Sequence, residues 1–101
     1  MPNKIYFQFK GPLWRTEGKG GWFFINLPKK ITTQIRKEFK EEEEGWGRLK
    51  CLAKINSHQW HTAIWFDTKA DTYLLPIKVE VRKKLAMVRG VDYKVTLLFK
   101  H

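Results

Sequence analysis

Cysteine is almost absent from this chain of 101 residues: Cys51 stands alone, so no disulfide can form within the chain. No apolar run comes near the roughly 20 residues that a helix needs to cross a bilayer. The first residues also lack the apolar block and the small-residue cleavage site of a secretory signal. We therefore expect a cytoplasmic protein that is not embedded in a membrane.

Acidic residues are scarce and unevenly placed. Ten Asp and Glu stand against 20 Lys and Arg, a formal net charge of +10, and four of the acids form the run Glu41–Glu44. Outside that run the surface should carry a positive potential, which favours anionic partners. Plain solubility through net charge is the alternative explanation. We expect the acidic run itself to be a solvated loop rather than a cation site.

The sequence also lacks the residue clusters that support catalysis. Cys51 falls on the apolar side of its predicted strand, which favours a buried structural thiol. His58 and His61 stand three residues apart, so a strand places them on opposite faces, and no second cysteine completes a zinc site. The glycine-rich segment 18–21 lacks the spacing of a phosphate-binding loop. We therefore expect no cofactor, no metal and no enzymatic activity.

Alternating apolar and polar residues predict a mainly β fold. Gly11 and Pro12 should interrupt the first strand. The remaining breaks fall at glycine-rich or Asn- and Asp-containing turns, and at prolines. Strands are expected at about residues 4–10, 22–27, 48–56, 59–67, 72–75 and 92–100.

Two helices separate these strands. An apolar stripe of Ile31, Ile35 and Phe39 indicates the first. The second is expected over about residues 78–88, closed by Gly90. The order ββαβββαβ predicts a single domain over residues 1–101, a six-stranded β-barrel capped by two short helices.

Several segments together resemble a known bacterial family. Residues 21–28 read GWFFINLP, Ile55-Asn56 ends a later strand, residues 60–64 read WHTAI, and Leu75-Pro76 precedes the basic segment 81–83. In this order they resemble the domain-of-unknown-function family numbered nineteen-oh-five over about residues 4–100. The resemblance implies a double-split β-barrel, a fold similar to that of the AbrB and MazE class of DNA-binding proteins. Some members are fused to a domain linked by name to bacteriocin protection, and the family supplies no catalytic residues.

Basic side chains that should point outward carry the leading functional hypothesis. If they converge on one side, they can neutralise the phosphates of a nucleic acid or another polyanion. Exposed tryptophans beside them, with Trp14, Trp46 and Trp65 as candidates, can stack on bases. The candidates for polyanion binding are Lys50, Lys54 and Lys94 on strands and Arg82, Lys83 and Lys84 on the second helix.

Two other interpretations stay open. A barrel mouth lined by Trp22, Trp60 and Trp65 can hold a small ligand. Alternatively, the domain is an accessory module whose partner is another protein. Exposed tryptophans without a basic stripe would favour the small ligand, whereas a contiguous basic stripe would favour a polyanion. The oligomeric state does not follow from the sequence.

Overall fold

The computed structural model describes residues 4–18, 20–43 and 45–100, except the side chain of Trp46. Seven strands form one antiparallel sheet within these residues, and two short helices accompany them. The strands are β1 (Lys4–Pro12), β2 (Trp14–Arg15), β3 (Phe23–Asn26), β4 (Arg48–Ile55), β5 (His58–Asp67), β6 (Thr72–Pro76) and β7 (Asp92–Lys100).

Helix α1 spans Lys29–Phe39, as the spacing of its apolar residues predicts, and buries Ile35 and Phe39. Two 3₁₀ turns, Lys40–Glu42 and Gly45–Gly47, lead from it into β4. Helix α2 spans Val79–Lys84 and buries Val81. In the described part of the chain, no helix is long and apolar enough to span a membrane.

The sheet has the order β1-β7-β4-β5-β6-β3-β2 and curls into a half-barrel. The first and last strands in this order are β1 and β2, and only Leu13 separates them in the chain. The two edges of the sheet therefore come together at Leu13. Gly11 permits the close approach, because a Cβ there would lie 3.3 Å from Cγ2 of Ile25 and 3.4 Å from the carbonyl oxygen of Asn26.

The mainly β fold is confirmed, but the predicted count of six strands and their order are wrong. The additional strand is β2, whose two residues pair with Phe23 and Phe24. Gly11 and Pro12 do not interrupt β1, which stays in register with β7 as far as Pro12. Proline is tolerated here because Pro12 is the last residue of a strand at the edge of the sheet, where a missing backbone N–H costs little.

The second helix is shorter than the expected residues 78–88. Ala86 adopts a left-handed conformation with φ of 50°. The N–H of Met87 donates to the carbonyl of Arg82, and that of Ala86 to Lys83, which is the pattern of a helix ending in a left-handed residue. Alanine occupies the position where glycine is usual, so Gly90 does not close this helix. Val88, which the expected helix would have included, lies beyond its end and is 57% exposed.

Residues alternate between two faces along the strands, and the inner face holds the core. In β4 the predicted set Leu49, Cys51, Ala53 and Ile55 is buried. Strand β7 contributes Val95, Leu97 and Phe99, and helix α1 packs against this same side through a ring contact between Phe39 and Phe99 at 4.9 Å. The opposite side of the sheet, called the outer face below, is therefore left to solvent.

The acidic run is not wholly a solvated loop. The side chain of Glu43 is only 11% exposed and accepts a 2.7 Å hydrogen bond from the Tyr73 hydroxyl. Arg36 lies 3.5 Å from the same carboxylate oxygen and 4.0 Å from the centre of the Phe66 ring. Burial raises the pKa of the Tyr73 phenol, and its hydrogen bond to Glu43 adds to the rise. This cluster joins the turn after α1 to the core, whereas Glu44 lies outside the described residues.

Candidate functional site

A row of apolar and aromatic side chains crosses the middle of the outer face. Tyr6 lies opposite Leu98, Leu98 opposite Leu52, and Leu52 opposite His61, so the row runs over β1, β7, β4 and β5. Directly opposed residues in neighbouring antiparallel strands place their side chains on the same face. Tyr6 is 61% exposed and His61 is exposed as well, so the row offers flat rings to solvent.

One pair of lysines lies on each side of this row. Lys4 lies opposite Lys100, and Lys10 lies opposite Lys94, all four being exposed. The two pairs are six positions apart along β7, which corresponds to about 20 Å in an extended strand. Like charges directly opposite each other destabilise a sheet. The pairing therefore costs stability in the unbound protein.

The outer face is basic as a whole. Among the described strand residues that the register assigns to this face, seven are basic and two, Asp67 and Asp92, are acidic. A face of this composition produces a positive potential that attracts polyanions. The basic residues are Lys4, Lys10, Arg48, Lys50, Lys54, Lys94 and Lys100.

A trough of about 610 Å³ lies on the same face, with Trp65 in its wall. That volume is within the range of sites that hold small molecules or single nucleotides. Ala63, Leu52 and Leu98 give it an apolar floor. None of its lining residues is an aspartate or glutamate, and the lysine, arginine and histidine residues among them are Arg48, Lys50, His61, Lys78 and Lys100.

A second concavity of about 400 Å³ adjoins the trough. The two share Trp65, Pro76 and Lys78, so Trp65 lies at their junction. Trp22 lines the second concavity and is 60% exposed, while Trp65 is 44% exposed. The fold thus brings two accessible indole rings to neighbouring positions at one edge of the basic face.

The structure gathers only part of the predicted polyanion-binding set. Lys50, Lys54 and Lys94 share the outer face on the adjacent strands β4 and β7. The other three lie on α2. Arg82 lines the second concavity, and its guanidinium lies 3.8 Å from the centre of the Phe23 ring. Lys83 and Lys84 are exposed and line neither concavity.

The tryptophans are also divided. Trp60 lies on the inner face, where its ring stacks on His58 at 5.5 Å, so a single mouth lined by Trp22, Trp60 and Trp65 does not form. Trp14 is half-buried against Phe24, and its indole N–H donates to Asn26. The side chain of Trp46 lies outside the part that the structure describes.

Sequence reasoning missed three of the lysines that matter at this site, Lys4, Lys10 and Lys78. Lys4 and Lys10 fall on the polar side of a strand recognised by its alternation, so the period of two already indicated that they point outward, as it did for Lys100. Their pairing follows only from the register of β1 with β7. Lys78 gave no signal, because it follows β6 and reaches the trough through the tertiary fold.

Cys51 is buried on the inner face of β4, although it is among the residues that line the trough. Burial raises the pKa of its thiol to about 12, while a backbone hydrogen bond at Ile64 acts in the opposite direction. No group of three or more His, Cys, Asp or Glu side chains suited to a metal ion occurs among the described residues.

The Cys51 thiol should therefore resist modification in the folded protein. With the pKa raised from 9.0 to about 12, the thiolate fraction at pH 8 falls roughly 1,000-fold, and burial restricts access further. A colorimetric disulfide reagent should react with the folded protein about 1,000 times more slowly than with the same protein in denaturant. In denaturant, the reaction should release one equivalent of the coloured thiol. Rapid reaction of one equivalent without denaturant would show that the thiol is accessible.

Comparison with known proteins gives a family and no function. Residues 9–97 match the family described as Domain of unknown function (DUF1905). The matched region extends from β1 into β7 and includes Trp22, Trp65 and Lys78. No curated protein matches the chain. The resemblance predicted from the sequence segments is confirmed, and the chain belongs to the domain-of-unknown-function family DUF1905.

Proposed function

We propose that this protein is a binding module, without enzymatic activity, that binds single-stranded nucleic acid across the outer face of its sheet. The observation that carries the proposal is the pairing of lysine with lysine at Lys4–Lys100 and Lys10–Lys94. Such pairs cost stability in the unbound protein. Phosphates placed between the lysines would relieve that repulsion, so the cost is recovered on binding. The double-split type of barrel implied by the family resemblance is part of this proposal.

Single-stranded nucleic acid fits the face better than a duplex. Proteins that bind single strands combine a positively charged track for the backbone with aromatic rings on which bases stack. The outer face has lysine pairs on both sides of a row that contains Tyr6 and His61, with Trp65 nearby. Bases in a duplex are already stacked on one another and cannot use these rings.

A small anionic ligand is the second candidate, and the trough favours it. The cavity of about 610 Å³ combines an apolar floor with the ammonium groups of Lys78 and Lys100 and the indole of Trp65. A planar aromatic acid or a mononucleotide has the matching chemistry. This candidate uses the trough alone, whereas the single-strand proposal also requires Lys10 and Lys94, on the far side of the row.

The test reverses the charge of one member of each pair, in the double variant Lys94→Glu/Lys100→Glu. Each glutamate then lies opposite a lysine, at Lys10 and at Lys4. We expect the variant to unfold at a higher temperature, because two repulsive cross-strand pairs become attractive. Its affinity for a fluorescein-labelled 12-nucleotide single strand, measured by anisotropy at low salt, should fall at least about tenfold.

The matched control is Lys30→Glu/Lys37→Glu on α1, which makes the same change in net charge on exposed residues of the helix that covers the inner face. It should weaken binding by less than about threefold, since only the long-range field changes. Equal losses in both variants would contradict a site on the outer face. An unchanged affinity in Lys94→Glu/Lys100→Glu would overturn the proposal.

A further inference from the structure

The two exposed tryptophans of the described chain belong to different segments but line one concavity. Trp65 lies near the end of β5, directly opposite Arg48 and Leu74 in the neighbouring strands. Trp22 lies just before β3. Both line the concavity of about 400 Å³, which continues past Trp65 into the trough of the outer face.

Trp22 is exposed, yet its backbone is held firmly. Its N–H donates to the hydroxyl of Thr16 over 2.9 Å, and its carbonyl accepts from the N–H of Thr16 over 2.8 Å. Because the backbone of Trp22 is already fixed, only the side-chain torsions lose freedom when a flat ligand stacks on the indole. Burial does not explain why a large indole occupies this position, because 60% of the residue is exposed.

Positive charge accompanies the two rings. Lys78 lines both concavities, so its ammonium group is available where they join. Arg82 lines the second concavity with its guanidinium held over the Phe23 ring at 3.8 Å. Glu80 also lines it and is the one acidic residue among the described residues that do so. The local balance is positive, which suits a phosphate next to a stacked base.

We propose that Trp65 and Trp22 hold two successive bases of one nucleic-acid strand, with Lys78 at the phosphate between them. The strand would then leave the outer face past the segment that joins β2 and β3. This inference rests on the proposed function and adds a defined path and two base-stacking positions to it. Stacking on an indole tolerates any base, because every base presents a π face. The site therefore selects for unpaired bases rather than for a sequence.

The test compares two strands of equal charge, labelled octathymidylate and an octamer of abasic residues, in anisotropy titrations. Trp22→Ala and Trp65→Ala should each weaken octathymidylate binding about tenfold, and the double variant about 100-fold. Neither variant should change the affinity for the abasic strand, because that strand offers phosphates without bases. Trp22→Phe keeps a ring and should retain most of the affinity. Both indoles are partly exposed, so circular dichroism should show that the variants remain folded.

The outcomes separate this inference from the function on which it rests. If both strands bind equally well and the tryptophan variants change nothing, the base-stacking site is overturned while polyanion binding stands. If only Trp65→Ala weakens binding, the path over Trp22 is overturned. If neither strand binds the unaltered protein, the proposed function fails, and with it this inference.

Discussion

Replacing Phe39 by alanine should lower the free energy of unfolding by about 3 to 5 kcal/mol. Phe39 is the last residue of α1, is 1% exposed and packs its ring on Phe99 of β7. Truncation removes buried apolar area and leaves a cavity between the helix and the sheet, and both effects destabilise the folded state. The loss is a large part of the roughly 5 to 15 kcal/mol that stabilises a typical domain.

Urea unfolding followed by far-ultraviolet circular dichroism measures this change. The urea concentration at the midpoint of unfolding should fall, while the slope of the free energy of unfolding against urea concentration stays the same. Phe39→Leu is the control, since it keeps most of the volume and should cost less than about 1.5 kcal/mol. A loss below about 1 kcal/mol for alanine would mean that the end of α1 contributes little to the core, contrary to the packing described here.

Binding of a single strand should weaken about 100-fold between 50 and 200 mM salt. If five of the six exposed lysines on the outer face each neutralise one phosphate, the slope is about −3.5 in the logarithm of affinity against the logarithm of salt concentration. Over a fourfold change in salt, this slope corresponds to roughly two orders of magnitude. These lysines are Lys4, Lys10, Lys54, Lys94 and Lys100.

Anisotropy titrations at four or more salt concentrations measure the slope. In Lys94→Glu/Lys100→Glu the slope should be shallower by about 1.4, because two phosphate contacts are gone. The α1 control Lys30→Glu/Lys37→Glu should keep the original slope, even if its affinity shifts slightly. A slope near zero in the unaltered protein would exclude counterion release, and with it the lysine track as a binding site.

The strands were the most predictable part of the fold. Alternation in 48–56 assigns Leu49, Cys51, Ala53 and Ile55 to one side, and burial of one face enforces that alternation in the structure. Strand β2 was not predicted as a separate strand because its two residues are too few to show a period. The early end of α2 was missed because Ala86, not a glycine, takes the left-handed position, and only the surrounding structure favours that choice.

The site was only half predictable, for a related reason. Local alternation shows that Lys50, Lys54 and Lys94 point outward, but their common face depends on β7 lying beside β4, a contact between residues far apart in sequence. Alternation also places Trp60 and Trp65, five residues apart on one strand, on opposite faces. A single mouth lined by both was therefore inconsistent with the strand itself. The local sequence did not indicate that the side chain of Glu43 points inward, because its partners Arg36 and Tyr73 come from α1 and β6.

The pairing of β1 with β7 also has a consequence for connectivity. Because Lys4 lies opposite Lys100, the described chain enters and leaves the domain at adjacent positions on neighbouring strands, about 5 Å apart. A polypeptide with entry and exit this close can be carried as an insert in a loop of another protein at a small entropic cost of closure. The same geometry allows the two ends to be joined by a short linker and new ends opened at the β4–β5 turn, leaving the outer face and both concavities continuous.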